Sequence, residues 1–186
     1  IDMGQKDEAE EIKYFLQDKD PSLANTVSEY IYQESPPAFS NAYFPEAFGF
    51  FPPKTPLSTL DVYLAQANAT KKYSLKIAFD KEMDRESVEN LSNWNISRSS
   101  GSGPGEAYNF GLPVPSTEVS LPKLPLNVFY DAHNRTATVT YEIAQNAAAD
   151  GTIDPTHIEF KFAGNDIFGN KIDAARDQYS GFSGIT

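Results

Sequence analysis

From about residue 58 onward, apolar side chains recur at every second position, and this alternation limits the chain more than any other feature. Tyr73-Ser-Leu-Lys-Ile-Ala-Phe79 alternates apolar and polar. Thr136-Ala-Thr-Val-Thr-Tyr-Glu-Ile143 does the same, and Thr156-His-Ile-Glu-Phe-Lys-Phe162 puts Ile158, Phe160 and Phe162 on one face. A period of two is the signature of strands with one face buried and one wet. Leu126 to Tyr130 reads as a strand that turns through Asp131–Arg135 into the strand at 136–143, which predicts a hairpin. Further strands are expected at Asp61–Ala65 and at Trp94-Asn-Ile-Ser97. Several short strands joined by turns favour a sandwich over a βαβ sheet. The stretch 107–126 carries several prolines, so any strands there are expected at an edge or interrupted. No internal repeat argues for a solenoid.

The first 34 residues follow another rule. Asp7 to Asp18 is rich in Glu, Lys and Leu, with Ile12, Phe15 and Leu16 on one face. Asp20-Pro21 is a strong helix start, with Asp as N-cap and Pro at the first helical position. Leu23, Val27, Tyr30 and Ile31 then form an apolar stripe. Two short helices are predicted, about 6–18 and 21–33. Residues 35–57 differ again, with six prolines and six Phe or Tyr. That density of proline forbids a long helix or a central strand. The aromatics are too many for a free linker, so this segment is expected to pack on the folded surface. The domain plan is therefore a helical segment at 1–34, a connector at 35–57 and a β-sandwich at 58–186.

One segment has a recognisable pattern: Lys76-Ile-Ala-Phe-Asp-Lys-Glu-Met-Asp-Arg-Glu-Ser-Val-Glu-Asn-Leu-Ser-Asn-Trp-Asn-Ile-Ser97. It resembles the bacterial immunoglobulin-like domains of S-layer and other surface proteins. The matching positions are Phe79, Met83, Asp84, Ser87, Val88, Asn93 and Trp94. A second match, Phe162-Ala-Gly-Asn-Asp-Ile-Phe-Gly-Asn170, is similar to the family's closing strand followed by Asp-x-x-Gly-Asn, here Asp166, Gly169 and Asn170. The resemblance covers roughly residues 60–175 and leaves the helices and the connector outside. It implies a fold that is mainly β, an immunoglobulin-like antiparallel β-sandwich with a short N-terminal helical segment. It also implies a spacer or adhesion-type module with no catalytic residues, in an extracytoplasmic setting: cell surface, periplasm or secreted. Physically, Met83 and Val88 would plug the open end of the sandwich. Trp94 would fill its core, and Gly169 would supply a positive φ after the last pairing.

Composition narrows the partners. The net charge is −11 and the pI is near 4.5. Phosphate binding needs clustered Lys and Arg, so nucleic acid is not expected. An anionic membrane surface is disfavoured for the same reason. There is no cysteine, which removes disulfides, thiolate metal sites and a cysteine nucleophile. No leader or membrane-spanning run is visible, so direct membrane insertion is not expected. The chain opens on Ile1, as expected of a processed form or an excised piece that has shed a leader or anchor.

Few residues point to chemistry. The only histidines are His133, in a hairpin turn, and His157, outward if Ile158 faces in. Neither has a visible nucleophile partner. No phosphate-cradling loop is present, because the glycine-rich stretch at 99–106 lacks the Lys and the strand–helix context. No particular carboxylate pair stands out as a hydrolase would require. Four sequons, at Asn68, Asn90, Asn95 and Asn134, match a glycosylation pattern that is common by chance. Calcium is the best small-ligand idea. Asn165, Asp166, Asn170 and Asp173 put four oxygen-bearing side chains into nine residues, but the EF-hand's terminal Glu is missing. The bland alternative is a polar turn that caps a strand. Asp80 and Asp84 form a second acidic end.

Three functions stay open. The first is a non-catalytic structural spacer or assembly module, whose partners are other modules of the same or a neighbouring surface protein. The second is a glycan- or protein-binding module using the aromatics Tyr43, Phe44, Phe48, Phe50 and Phe51. The third, a hydrolase, would need a cleft with paired carboxylates or a partnered histidine.

Overall fold

The computed structural model describes residues 3–45, 48 and 51–186. Two helices open the described chain, α1 (Met3–Gln17) and α2 (Pro21–Glu34). Asp20 caps α2 as expected, its Oδ1 accepting from the Leu23 N–H at 3.0 Å. Ten strands follow: β1 (Phe39–Tyr43), β2 (Thr55–Pro56), β3 (Thr70–Phe79), β4 (Trp94–Arg98), β5 (Asn127–Asp131), β6 (Thr136–Ala144), β7 (Thr152–Ile153), β8 (Ile158–Phe162), β9 (Gln178–Ser180) and β10 (Gly184–Ile185). Two single-turn helices, α3 (Leu57–Leu60) and α4 (Arg85–Glu89), lie between them.

The strands form two four-stranded antiparallel sheets, in the orders β1-β3-β6-β5 and β10-β9-β8-β4, plus a small β2-β7 ribbon. The alternation works as read. In β6 the residues Ala137, Val139, Tyr141 and Ile143 are all fully buried, while Thr138 and Thr140 stand between them on the wetter face. Contacts between the inner faces join the two sheets. Tyr141 of β6 meets Phe160 of β8 at 5.1 Å, and Phe79 of β3 meets Phe162 of β8 at 5.6 Å. Phe39 of β1 stacks on Trp94 of β4 at 6.4 Å. Each aromatic ring buries a large apolar area, so these pairs dominate the core energetics.

The anticipated hairpin is present, with Asp131 opposite Thr136 across β5 and β6. Met83, Val88 and Trp94 are all buried, and Gly169 has φ +87°.

Two expectations change. Asp61–Ala65 is not a strand. Asp61 accepts from the Tyr63 N–H at 2.8 Å, which caps a tight 3₁₀ turn over Val62–Ala65. His157 is not outward but 1% exposed. The strand begins at Ile158, so His157 belongs to the preceding 3₁₀ turn, where alternation does not apply. Beyond β8, β9 and β10 form a short hairpin. The connector holds an edge strand: β1 pairs with β3 and has an irregularity between Phe39 and Asn41.

Candidate functional site

The polar groups with the fewest local reasons to be buried gather where α2 meets the sandwich. Lys81 follows the end of β3, and its side chain is 4% exposed. Its Nζ lies 2.6 Å from Asp166 Oδ2, 2.6 Å from the Ser35 carbonyl and 3.4 Å from the Gln33 carbonyl. An ammonium has three protons, and here three acceptors surround it. The rings of Tyr32 and Phe168 face the same nitrogen at 5.0 and 5.2 Å.

Asp166 is equally satisfied. Its Oδ1 accepts from the backbone N–H groups of Phe168 (3.0 Å) and Asn170 (2.8 Å). Its Oδ2 takes Lys81 and, at 3.1 Å, Asn170 Nδ2. That same Nδ2 also donates to the Gln33 carbonyl. Burial pushes the Asp166 carboxyl up. The Lys81 ammonium and the Asn170 donors outweigh it and hold the group below its ordinary value.

The helix explains why a lysine belongs here. The last carbonyls of a helix lack partners within it, and the negative end of the dipole favours a cation. The last turn of α2 contains no basic residue. The sandwich supplies the missing cation through Lys81 and a second donor through Asn170. The connector is tied down alongside: Ala38 N–H donates to Asp80 Oδ1 at 2.8 Å, and Arg176 Nη2 donates to the Phe39 carbonyl at 2.7 Å.

Three side chains of the anticipated calcium quartet are hydrogen-bonded within the fold. Asp166 carries the Lys81 ammonium. Asn170 turns its amide donors on Asp166 and α2. Asp173 Oδ1 accepts from the Ala175 N–H at 3.0 Å, and the Asn165 N–H donates to Ser87 Oγ at 2.9 Å. The acceptor positions a hard cation needs on Asp166 are already taken. Among the described residues, no group of three or more His, Asp or Glu is placed to hold a metal ion. Melting with excess calcium and then with EGTA is therefore expected to leave Tm unchanged. A rise of several degrees reversed by chelation would contradict this arrangement.

The proposed aromatic platform separates into unlike parts. Phe48 is 1% exposed and packs on Tyr73 at 4.5 Å. Phe44 is half-buried against Phe48 and Phe160. Among the described rings of this set, Tyr43 alone is exposed, on the edge strand β1. Phe50 lies outside the described residues. Phe51 is half-buried at a different corner, a shallow groove of about 290 Å³ shared with Pro53, Phe110 and Phe182.

That corner was not anticipated. His157 forms its floor between the rings of Phe110 (5.2 Å) and Phe182 (4.8 Å). Its Nδ1 faces the Asp154 carboxylate at 2.8 Å, and its Nε2 faces the Gly105 carbonyl at 2.8 Å. Tyr108 links this pair to Glu118: its hydroxyl donates to Glu118 Oε1 and accepts from the Asp154 N–H at 2.9 Å. Burial pushes both Tyr108 and Glu118 above their ordinary values. Asn109 and Phe110 both adopt positive φ, at 54° and 56°. Such strain persists only where surroundings impose it, and here the Asn109 N–H is held by Asp154 Oδ2 at 2.7 Å. Among the described residues, no hydroxyl nucleophile is hydrogen-bonded to His157. The sequence signal for this corner is the turn-prone Asn109-Phe-Gly111, which carries an aromatic where a polar residue is usual.

No protein-family model matches the chain, and no curated protein matches it. Two solved structures are similar. The crystal structure of the S-layer protein rSbsC(31-844) shares 12% identity at a TM-score of 0.39, over 84% of this chain and 15% of that one. The crystal structure of the N-terminal part of the bacterial S-layer protein SbsC shares 12% identity at a TM-score of 0.42, over 84% of this chain and 26% of that one. A likeness this distant says nothing of what the chain binds. Among the described residues, no helix is long and apolar enough to cross a membrane.

Proposed function

We propose that this chain is a non-catalytic structural module, an immunoglobulin-like sandwich that holds a helical hairpin at a fixed attitude within an extracytoplasmic bacterial surface assembly. The observation that carries the reading is the buried Lys81–Asp166–Asn170 clamp on the last carbonyls of α2. A flexible linker needs no such device. A spacer that must keep one element oriented on another does. The division into helical segment (1–34), connector (35–57) and sandwich (58–186) belongs to the same reading, with the connector as the part that is stitched down. The surface setting rests on the resemblance of residues 76–97 and 162–170 to surface-protein domains.

Absence of cysteine makes the test clean. Spin labels on Gln5→Cys in α1 and Ala67→Cys on the sandwich, both exposed positions, report the distance between hairpin and sheet. A single narrow distance distribution is expected, broadening when Lys81→Met is added. A broad distribution in the chain with its clamp intact would sink the rigid-module reading.

A second reading keeps a binding role and moves it to the Phe51, Phe110 and Phe182 groove. The strained backbone beneath exposed rings favours it.

A further inference from the structure

The hairpin of α1 and α2 has two unlike sides. At 100° per residue, Ala9, Lys13 and Leu16 of α1 and Ala24, Ser28 and Ile31 of α2 point between the helices, and all six are buried or half-buried. One flank is polar and is lined by Lys13, Gln17, Pro21, Asn25 and Ser28. Tyr32 extends that flank and packs edge-on against Phe168 at 6.2 Å, so the sandwich lies on this side. The opposite flank collects Ile12 and Phe15 from α1 and Leu23, Val27 and Tyr30 from α2. Its large side chains stand open: Ile12 is 53%, Phe15 63%, Leu23 46% and Tyr30 56% exposed. Two helices cannot bury two such stripes on each other.

Charge identifies what covers this flank. The groove beside Ile12 and Phe15, about 460 Å³, is walled by Glu8 and Glu11. Across residues 3–34 there are eight acidic and three basic side chains, a net of −5. Lys19 puts a cation on the flank, its Nζ 3.6 Å from the centre of the Phe15 ring. A second copy would bring the same negative charge against itself. We propose that the flank formed by Ile12, Phe15, Leu23 and Tyr30 seats an amphipathic helix of a partner module, with Lys or Arg bordering its apolar stripe. That helix completes a three-helix bundle, its apolar stripe covering the exposed rings and its cations meeting Glu8 and Glu11. The inference rests on the assembly reading and names the chemistry of its partner.

The probe is a labelled synthetic peptide about three heptads long, with Leu at a and d and Lys at e and g. A companion peptide carries Glu at e and g. Fluorescence anisotropy is expected to show the Lys peptide binding at least about tenfold more tightly than the Glu peptide. Phe15→Ser with Tyr30→Ser, which changes no charge, is expected to weaken it about tenfold or more. Both residues are more than half exposed, so the fold is retained, and circular dichroism checks this. Glu8→Lys with Glu11→Lys is an independent variant and is expected to shift preference toward the Glu peptide. Three outcomes overturn the proposal: equal binding of both peptides, undiminished binding by the charge-neutral variant, or a dimer of the chain alone that this variant dissolves. Failed peptide binding beside a narrow spin-label distance would remove the partner and leave the rigid module. A broad distance would remove the module itself.

Discussion

Lys81→Met is expected to cost about 3–5 kcal/mol of folding stability, because it leaves the Asp166 carboxylate buried without its counter-charge. The side chains of the pair are 4% and 0% exposed, so solvent offers little compensation. The same substitution removes a donor from the Gln33 and Ser35 carbonyls at the end of α2. Urea unfolding, followed through the single Trp94, measures it. Asp166→Asn keeps an Oδ1 that accepts from the Phe168 and Asn170 N–H groups, so the turn survives while the charge is lost. The two substitutions together are expected to cost less than their sum by about 1–3 kcal/mol. Strict additivity would mean that the ammonium and carboxylate do not act as a pair.

The same carboxyl sets a pH dependence. In the folded chain it sits below its ordinary value, with burial opposing and Lys81 and Asn170 prevailing. Its contribution is therefore complete above the unfolded carboxyl's pKa, about 3.9. It is lost as pH falls through the lower folded value. Stability measured from about pH 6 to about pH 3 should fall on the acid side, and Lys81→Met should flatten the part of that fall due to Asp166.

This clamp shows why only part of the molecule is legible in the sequence. Local periodicity reads well: Ile158, Phe160 and Phe162 face the core as their alternation requires, and Asp20-Pro21 starts α2. Asp166, Asn170 and Gly169 were legible as a turn and ambiguous as a site. The deciding partner, Lys81, lies 85 positions away from Asp166, and no spacing rule carries that distance. Asp61–Ala65 fails for a different reason. Its apolar run suits a short strand, but the Asp61 side chain binds its own backbone and closes a turn first. His157 fails because the strand begins at Ile158, two residues after the start of the alternating segment at Thr156. The half-exposed rings Phe110 and Phe182 were not legible, because they come from turns with no pattern of their own.

Trp94→Ala is expected to cost about 3–5 kcal/mol. Trp94 is 2% exposed. Its ring packs on Phe162 at 4.7 Å and on Phe39 at 6.4 Å, so truncation opens a cavity between the two sheets. Its Nε1–H also donates to the Val88 carbonyl at 2.7 Å, which fixes α4 against β4. Truncation therefore leaves a buried carbonyl without its donor as well as a void. Trp94→Phe separates the two effects. It retains most of the packing and loses only the donor, so a smaller loss of about 1–2 kcal/mol is expected. Thermal unfolding by circular dichroism follows both variants, since neither retains the indole. A loss within about 0.5 kcal/mol for Trp94→Ala would place the indole at the surface. It would also break the register that sets Trp94 opposite Phe162. The proposed rigid module would depend on this packing as much as on the clamp: Lys81 holds α2 to the end of β3, and the Trp94 layer holds β4 and β8 to the sheet that contains β3.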